Sequence, residues 1–445
     1  MIPLYLLIAG VGSTQGSASS TDNALHSKAL VSEARSDVAI PAMTAGSSLK
    51  EPTTPDEFLT RGYDRLNIQS RYYARSDFDR SRALVEDALA DFDRAAALDA
   101  TSSIAQSLRA LALIELARLD EAEGAIAKAL HSDKVDPRVF QVRGLLYARR
   151  GQPEKAIPDF TRYLLEANPT SMKTFLERAL AYEGTGQLEM ARADLQRAGQ
   201  FGLNMQINLI LARVTARLGN IEQATAIIDQ TLSHGTPQST ATWRKTLIST
   251  ITRGRIFEMA GRAKEARDQY EAALNEIIAR QNELTARPSS LAGETIGLLT
   301  SKAFLFVQLG QPKEAIAVAD KALKEQPDNA LLLIERCRAE LRAGRTISAR
   351  EDCDAALRND HASLEALYLS GLVSLKLHDW DRAANEFQAL VGKRWVPALF
   401  GRGVAKIGRG DRSGGGADIE AARSLSPNID FDFDEFGINP STTKA

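Results

Sequence analysis

The sequence predicts an all-α fold built from about ten helix–turn–helix repeats. Three observations predict it. Turn glycines recur at Gly151, Gly186, Gly219, Gly261, Gly310, Gly344 and Gly410. The intervals between them are 35, 33, 42, 49, 34 and 66, and His378 divides the last into 34 and 32. Five places after each of the first six glycines stands an alanine (Ala156, Ala191, Ala224, Ala266, Ala315 and Ala349), and Ala383 holds the same place after His378. The chain is visibly rich in Ala, Leu and Arg, all strong helix formers, and only 6 % of its residues are aromatic.

The clearest unit is Ile296–Asn329, IGLLTSKAFLFVQLGQPKEAIAVADKALKEQPDN, which is one full period. Leu299, Ala303 and Phe306 mark one apolar helical face. Gly310 ends that helix in the left-handed conformation that helix C-termini favour. Pro312 opens the next, where its missing N–H costs nothing. Ala315, Ala319 and Ala322 form the seam of the second helix, and Pro327 follows it. So short a hairpin needs copies on either side to bury its faces. The unit resembles a tetratricopeptide repeat (TPR), a helical hairpin of about 34 residues with a small residue on each helix, an aromatic between them and a late proline. The resemblance covers residues 55–427. It implies an α–α superhelix whose first helices line a groove that binds peptides or proteins. The family's best-known carboxylate clamp needs Lys and Asn on the first helices. Asn208 is the only clear Asn there, so that clamp is not carried over.

In chain order, residues 2–12 form an apolar run of eleven, too short for the roughly 20 residues that span a bilayer. With Gly16-Ser17-Ala18 behind it, the run fits a secretory signal over residues 1–18, although no Lys or Arg precedes it; a buried N-terminal strand or helix is the other reading. An exported chain, periplasmic in a Gram-negative source, is the expectation. Residues 19–54 are rich in Ser, Thr, Ala and Gly and read as a flexible linker. The first repeat is split: Phe58, Arg61 and Gly62 fit a first helix, and Ala88, Phe92 and Ala95 a second. About 14 extra residues, with Tyr72, Tyr73 and Phe78, form either a binding loop or a longer helix and loop. A second repeat, with Ala110, Leu113, Ala122 and Ile126, keeps the frame without a turn glycine. Longer helices are expected over about 239–260 and 263–284, then a connection through Pro288. Gly414-Gly415-Gly416 weakens the start of the last second helix. Residues 428–445 read as a cap and tail, with Ile429, Phe433, Phe436 and Ile438 on the last repeat and Asp430, Asp432, Asp434 and Glu435 toward water.

Charge is balanced: 55 basic and 57 acidic residues give a formal net charge of −2. No bulk attraction to nucleic acid or membrane follows, and neither is an expected partner. No membrane span is expected in the mature chain. Five scattered histidines offer no paired metal spacing, and no nucleophile elbow or phosphate loop appears. No catalytic residue, metal or cofactor is therefore expected. The chain reads as a non-catalytic protein–protein interaction scaffold. The alternative is an accessory subunit of a cell-envelope polysaccharide or secretion complex that docks an enzyme.

One charged pattern repeats. Arg143, Arg178, Arg336 and Arg402 precede the small residue of a first helix, and Asp159, Asp194, Asp352 and Asp418 follow them at a constant offset of 16. Arg61 and Asp91 match once the insertion is removed. Arg109 and Arg253 hold the same place without the matching acid. Ion pairs between packed helices, or a lining of the groove, are the two readings. Cys337 takes a small slot and Cys353 the facing wedge slot of one hairpin; a disulfide or two buried thiols are both open. The other face of the first helices carries Gln141, Leu145, Arg149, Leu180, Arg213, Arg217, Arg255, Phe304, Arg338, Arg342 and Tyr368, with fewer acids, chiefly Glu115, Glu183 and Glu258. It either packs between neighbouring first helices or takes an acidic amphipathic protein segment, held most strongly between Arg213 and Arg342.

Overall fold

The computed structural model describes residues 51–73, 78–201, 205–233, 240–285, 292–359, 363–391, 396–425, 429–434 and 436–440. The expected leader (residues 1–18), the expected linker as far as residue 50, and the connection through Pro288 lie outside them. Helices alternate as first and second members of hairpins: α1 (Pro55–Tyr73) with α2 (Phe78–Leu98), α3 (Ser103–Glu115) with α4 (Leu119–Leu130), α5 (Arg138–Arg149) with α6 (Pro153–Glu166), and α7 (Met172–Gly184) with α8 (Leu188–Gly199). Then come α9 (Met205–Arg217) and α10 (Ile221–Ser233), α11 (Thr240–Met259) and α12 (Ala263–Thr285), α13 (Ala292–Gln308) and α14 (Pro312–Leu323), and α15 (Ala330–Arg342) and α16 (Thr346–Asn359). The last are α17 (Leu364–Lys376) and α18 (Trp380–Val391), α19 (Val396–Gly408) and α20 (Arg412–Leu425), and the short α21 (Ile429–Asp434). The fold is all-α, of the helical-repeat class. The chain divides into two compact units, and the division falls within α9, between Val214 and Thr215.

Local chemistry sets the helix ends. The turn glycines adopt φ of 70–93°. Where the glycine is missing, Ala117 and His378 take φ 58° instead, so the turn geometry outlasts the residue that best suits it. Ser102, Ser171, Asn329 and Ser363 cap α3, α7, α15 and α17, each side chain accepting a backbone N–H of the first turn. Such caps contribute about 1 kcal/mol each.

Packing within a hairpin follows the same constant offset as the charged pattern. A Cβ at Gly144 or Gly371 would sit 2.7 Å from the ring of Phe160 or Phe387, and one at Gly254 2.6 Å from Tyr270. Gly62 meets Phe92 in the same way at 2.6 Å. Each pair sets a small residue of the first helix against a ring of the second. Cys337 and Cys353 occupy the matching places in α15–α16 and are joined by a disulfide, with Cα–Cα 5.7 Å. Both are fully buried.

Of the two readings of the first repeat, the structure shows the longer helices: α1 and α2 run to 19 and 21 residues; Tyr72 and Tyr73 end one helix and Phe78 opens the other. The triple glycine also permits close packing at the opening of α20: a Cβ at Gly415 would lie 2.6 Å from the Gly403 carbonyl oxygen, so α19 and α20 touch backbone to backbone. The Asp411 carboxylate accepts the Gly414 N–H at 2.9 Å and starts the helix.

Beyond the hairpins, contact between alternate helices belongs to the first helices. In the N-terminal unit α1 touches α3, α3 touches α5 and α5 touches α7; in the C-terminal unit α13, α15, α17 and α19 are linked likewise. No comparable contact joins successive second helices among the described residues. Over α1–α7 and over α13–α19 the first helices therefore form the more closely spaced layer.

Candidate functional site

First helices carry two sets of polar side chains. The set facing the helix's own hairpin is the arginine–aspartate series. Arg143 donates to both oxygens of Asp159 at 2.8 and 2.7 Å. Arg178 grips Asp194 at 2.7 and 2.8 Å, Arg336 grips Asp352 at 2.6 and 2.6 Å, and Arg402 grips Asp418 at 2.7 and 2.6 Å. Arg61 pairs with Asp91 at 3.0 and 2.7 Å across the lengthened hairpin. The aspartates are buried, and the planar fork suits this two-point contact.

The remaining guanidinium nitrogen reaches back to the preceding hairpin. Arg336 Nη1 donates to Asp320 on α14 at 2.7 Å, Arg178 Nη1 to Thr161 on α6 at 2.9 Å, and Arg402 Nη1 to Gln388 on α18 at 2.7 Å. Arg109 and Arg253 pair only backward in this frame, with Asp93 and Asp229. Arg336, Arg178, Arg402, Arg109 and Arg253 thus fasten repeat to repeat.

One relative of the series escaped the sequence reading because its cation moved. In α17–α18 the arginine slot holds Ser370, whose hydroxyl donates to Glu386, 16 residues on, at 2.6 Å. The charge comes from Arg382, one turn before Glu386, whose Nε donates to it at 2.8 Å. The constant spacing was the available signal.

The second set lies toward neighbouring first helices. In the N-terminal unit Gln141 donates to Thr174 Oγ1 at 2.7 Å, and Leu145 is buried. Arg213 is held by Glu183 at 2.7 and 3.1 Å. Arg149 and Leu180 are exposed. In the C-terminal unit Arg217, Arg255 and Arg342 are half-buried, and Phe304, Arg338 and Tyr368 are buried. Arg338 sits between Glu335, at 3.3 Å, and Glu365 of α17. Burial pushes the Glu335 carboxyl up to about 7, against the nearby charges of Arg338 and Arg255 and with that of Glu365. Burial likewise raises Glu340 to about 7, helped by Asp352. Arg342 donates to the Val307 carbonyl on α13 at 2.8 Å, and its guanidinium lies 5.5 Å from the centre of the Phe436 ring.

The basic face read from the sequence is therefore corrected in part. Leu145, Phe304, Arg338 and Tyr368 are buried rather than displayed, Tyr368 against Phe387 of α18 and Phe433. Glu183 neutralises Arg213, and Glu335 with Glu365 neutralises Arg338. Glu335 and Glu365 were not singled out, because nothing at a fixed offset marks them. Among the described residues no group of three potential ligands is placed to hold a metal ion, and no helix is long and apolar enough to cross a membrane.

A stacked array of helical hairpins, locked through its first helices, defines a repeat protein of the kind that presents a surface rather than a pocket. A tetratricopeptide-repeat family model matches residues 107–172, 141–203 and 302–363. Residues 107–203 and 302–363 are thus tetratricopeptide repeats, and that repeat supports a role in protein–protein interaction. Similar solved structures include a tetratricopeptide repeat protein from Parabacteroides merdae ATCC 43184, at 15 % identity over 60 % of this chain and 98 % of that one, TM-score 0.36. The TPR domain of P58(IPK) is 14 % identical over 82 % of this chain and 98 % of its own, TM-score 0.22. MamA from Desulfovibrio magneticus RS-1, from residue 41 to its end, is 18 % identical over 39 % and 94 %, TM-score 0.31. No curated protein matches the sequence.

Proposed function

We propose that this protein is a non-catalytic scaffold that binds a segment of a partner protein along its first-helix layer. The observation that carries this reading is the contact between successive first helices over α1–α7 and α13–α19, not matched between successive second helices among the described residues. Within a unit, closer spacing on one side of a stacked array makes that side concave. The exposed and half-buried members of the layer, Gln141, Arg149, Leu180, Arg217, Arg255 and Arg342, supply apolar surface and positive charge. An acidic segment with apolar anchors matches both, the arginines pairing carboxylates and the anchors giving most of the affinity. Export, with a leader over residues 1–18 and a linker to residue 54, is part of the proposal. The Cys337–Cys353 disulfide supports it, because structural disulfides persist in oxidising compartments.

The test is site-specific photo-crosslinking in intact cells. A photoactivatable residue replaces Leu180 or Arg149 on the first-helix layer, or Leu165, which is exposed on α6. The expected result is one partner captured from Leu180 and Arg149 and not from Leu165. Capture from Leu165 alone overturns the reading.

A further inference from the structure

The C-terminal stretch from Ile429 to Ile438 reads IDFDFDEFGI. Ile429, Phe433, Phe436 and Ile438 are buried. A segment that only covered the final hairpin would touch α19 and α20. This one goes further. Its Phe433 ring lies 4.5 Å from that of Phe400 on α19 and 6.3 Å, edge-on, from that of Tyr368 on α17. Phe436 lies under the Arg342 guanidinium of α15. At Gly437, where φ is 63°, the place of a Cβ is 3.3 Å from Lys376 Nζ of α17. Asp430 anchors the start, paired with Arg423 of α20 at 2.7 and 2.9 Å.

The segment thus crosses three successive first helices. It carries four acids at positions 430, 432, 434 and 435, and it runs past Arg342 and Lys376. We infer that the surface formed by Phe400, Tyr368, Lys376 and Arg342 is a binding channel for an acidic, phenylalanine-bearing segment of a partner protein, and that residues 429–438 are its built-in occupant. The channel is the C-terminal stretch of the layer assigned above, and the inference rests on that reading. Aromatic rings three places apart seat against Phe400, Tyr368 and the Arg342 plane, while a partner's carboxylates answer the two cations. A partner of this chemistry enters by displacing the resident segment. The resident segment is tethered, at an effective concentration on the order of millimolar, so it tunes the partner's affinity.

The probe is a fluorescein-labelled peptide of residues 427–440, followed by anisotropy. It is titrated against the full chain and against a chain ending at Leu425. The truncated chain is expected to bind at least about tenfold more tightly, because it lacks the tethered competitor. A peptide of the same composition with its phenylalanines clustered at one end is expected to bind weakly to both. Arg342→Ala with Lys376→Ala in the truncated chain is expected to lower affinity about fivefold, as is salt at about 0.5 M. Should truncation unfold the last repeat, a protease site placed at residues 426–428 allows cleavage after folding. The labelled peptide is then expected to replace the nicked segment on dilution. A nicked segment that stays bound and admits no probe, or a folded truncated chain that ignores the peptide, shows residues 429–438 to be a cap alone and overturns the inference. Neither failure touches the crosslinking at Leu180 and Arg149, which reports on the other unit; loss of that crosslink with peptide binding intact would instead confine binding to the C-terminal channel.

Discussion

At the scale of single residues, the fold depends on small residues set against rings across the hairpin and on arginines beside them. Gly144→Val places a branched side chain where a single Cβ already falls 2.7 Å from Phe160. Overpacking of that kind costs about 1–3 kcal/mol, visible as a lower urea midpoint. Gly124, which has nothing within 4 Å of its Cβ position, is the control, and Gly124→Ala is expected to leave the midpoint at or above that of the parent. Arg336→Ala leaves Asp352 buried and unpaired beside Glu340, whose carboxyl is already raised by burial and by Asp352. Removing one partner of a buried pair costs about 3–5 kcal/mol; the partial exposure of Arg336 puts the expected loss at the lower end. Equal midpoints for parent and variant would show that the ladder holds nothing together. The spacing that identifies these residues was legible in the sequence because it is local: one constant offset joins a slot on each helix of a single hairpin. Arg338–Glu365, Arg213–Glu183 and Gln141–Thr174 were not legible. Their separations of 27, 30 and 33 vary with each loop, so no fixed offset announces them.

At the scale of the element, α15 and α16 carry two features that respond to conditions. Glu335 holds its proton up to about 7 in the folded chain because burial disfavours the carboxylate. The unfolded chain loses that proton near the ordinary glutamate value of about 4.3. Between those values the unfolded state binds fewer protons, so stability falls as pH rises. The loss begins above the unfolded value and is complete once pH passes about 7. Thermal unfolding of the parent is therefore expected to shift downward from pH 5 to pH 8, and Glu335→Gln to flatten that slope. The groups facing Glu335 are Arg338, Glu365 and Arg255, and parallel slopes in parent and variant would assign the pH response to another group. The Cys337–Cys353 bridge closes a loop of 16 residues, worth about 3 kcal/mol on the chain-entropy model. Cys337→Ala with Cys353→Ala is expected to lower stability by about that amount and to abolish any effect of reductant. The sequence placed the two cysteines in facing slots, but slots alone left both the thiols and the bridge open.

At the scale of the whole molecule, the main contacts of a hairpin among the described residues are with its neighbours, so a local change has a local effect. Amide hydrogen exchange makes this measurable. Loss of the disulfide is expected to raise exchange in α15 and α16 and in the hairpins beside them, and to leave α3–α8 unchanged. Acceleration throughout the chain would show cooperativity that the contacts do not provide. The same locality explains what the sequence told and withheld. Repeat number, turn positions and the small-to-wedge frame all lie within one hairpin and were readable. For the face of the first helices the sequence left packing and display both open, because the choice depends on neighbours. Leu145, Phe304, Arg338 and Tyr368 are buried. The path of residues 429–438 depends on three hairpins at once, which is why the segment read as a cover for the last repeat.

The bridge in α15–α16 also has a mechanical consequence. Under tension applied to the two ends of the chain, every other hairpin can unravel to its full contour. This one cannot, because 16 residues are bypassed by a link whose Cα atoms are 5.7 Å apart. Fully drawn out, that bypassed stretch would span about 55 Å. The oxidised hairpin therefore releases about 50 Å less length than the reduced one, and a force–extension trace would record the redox state of the protein as a shortened step.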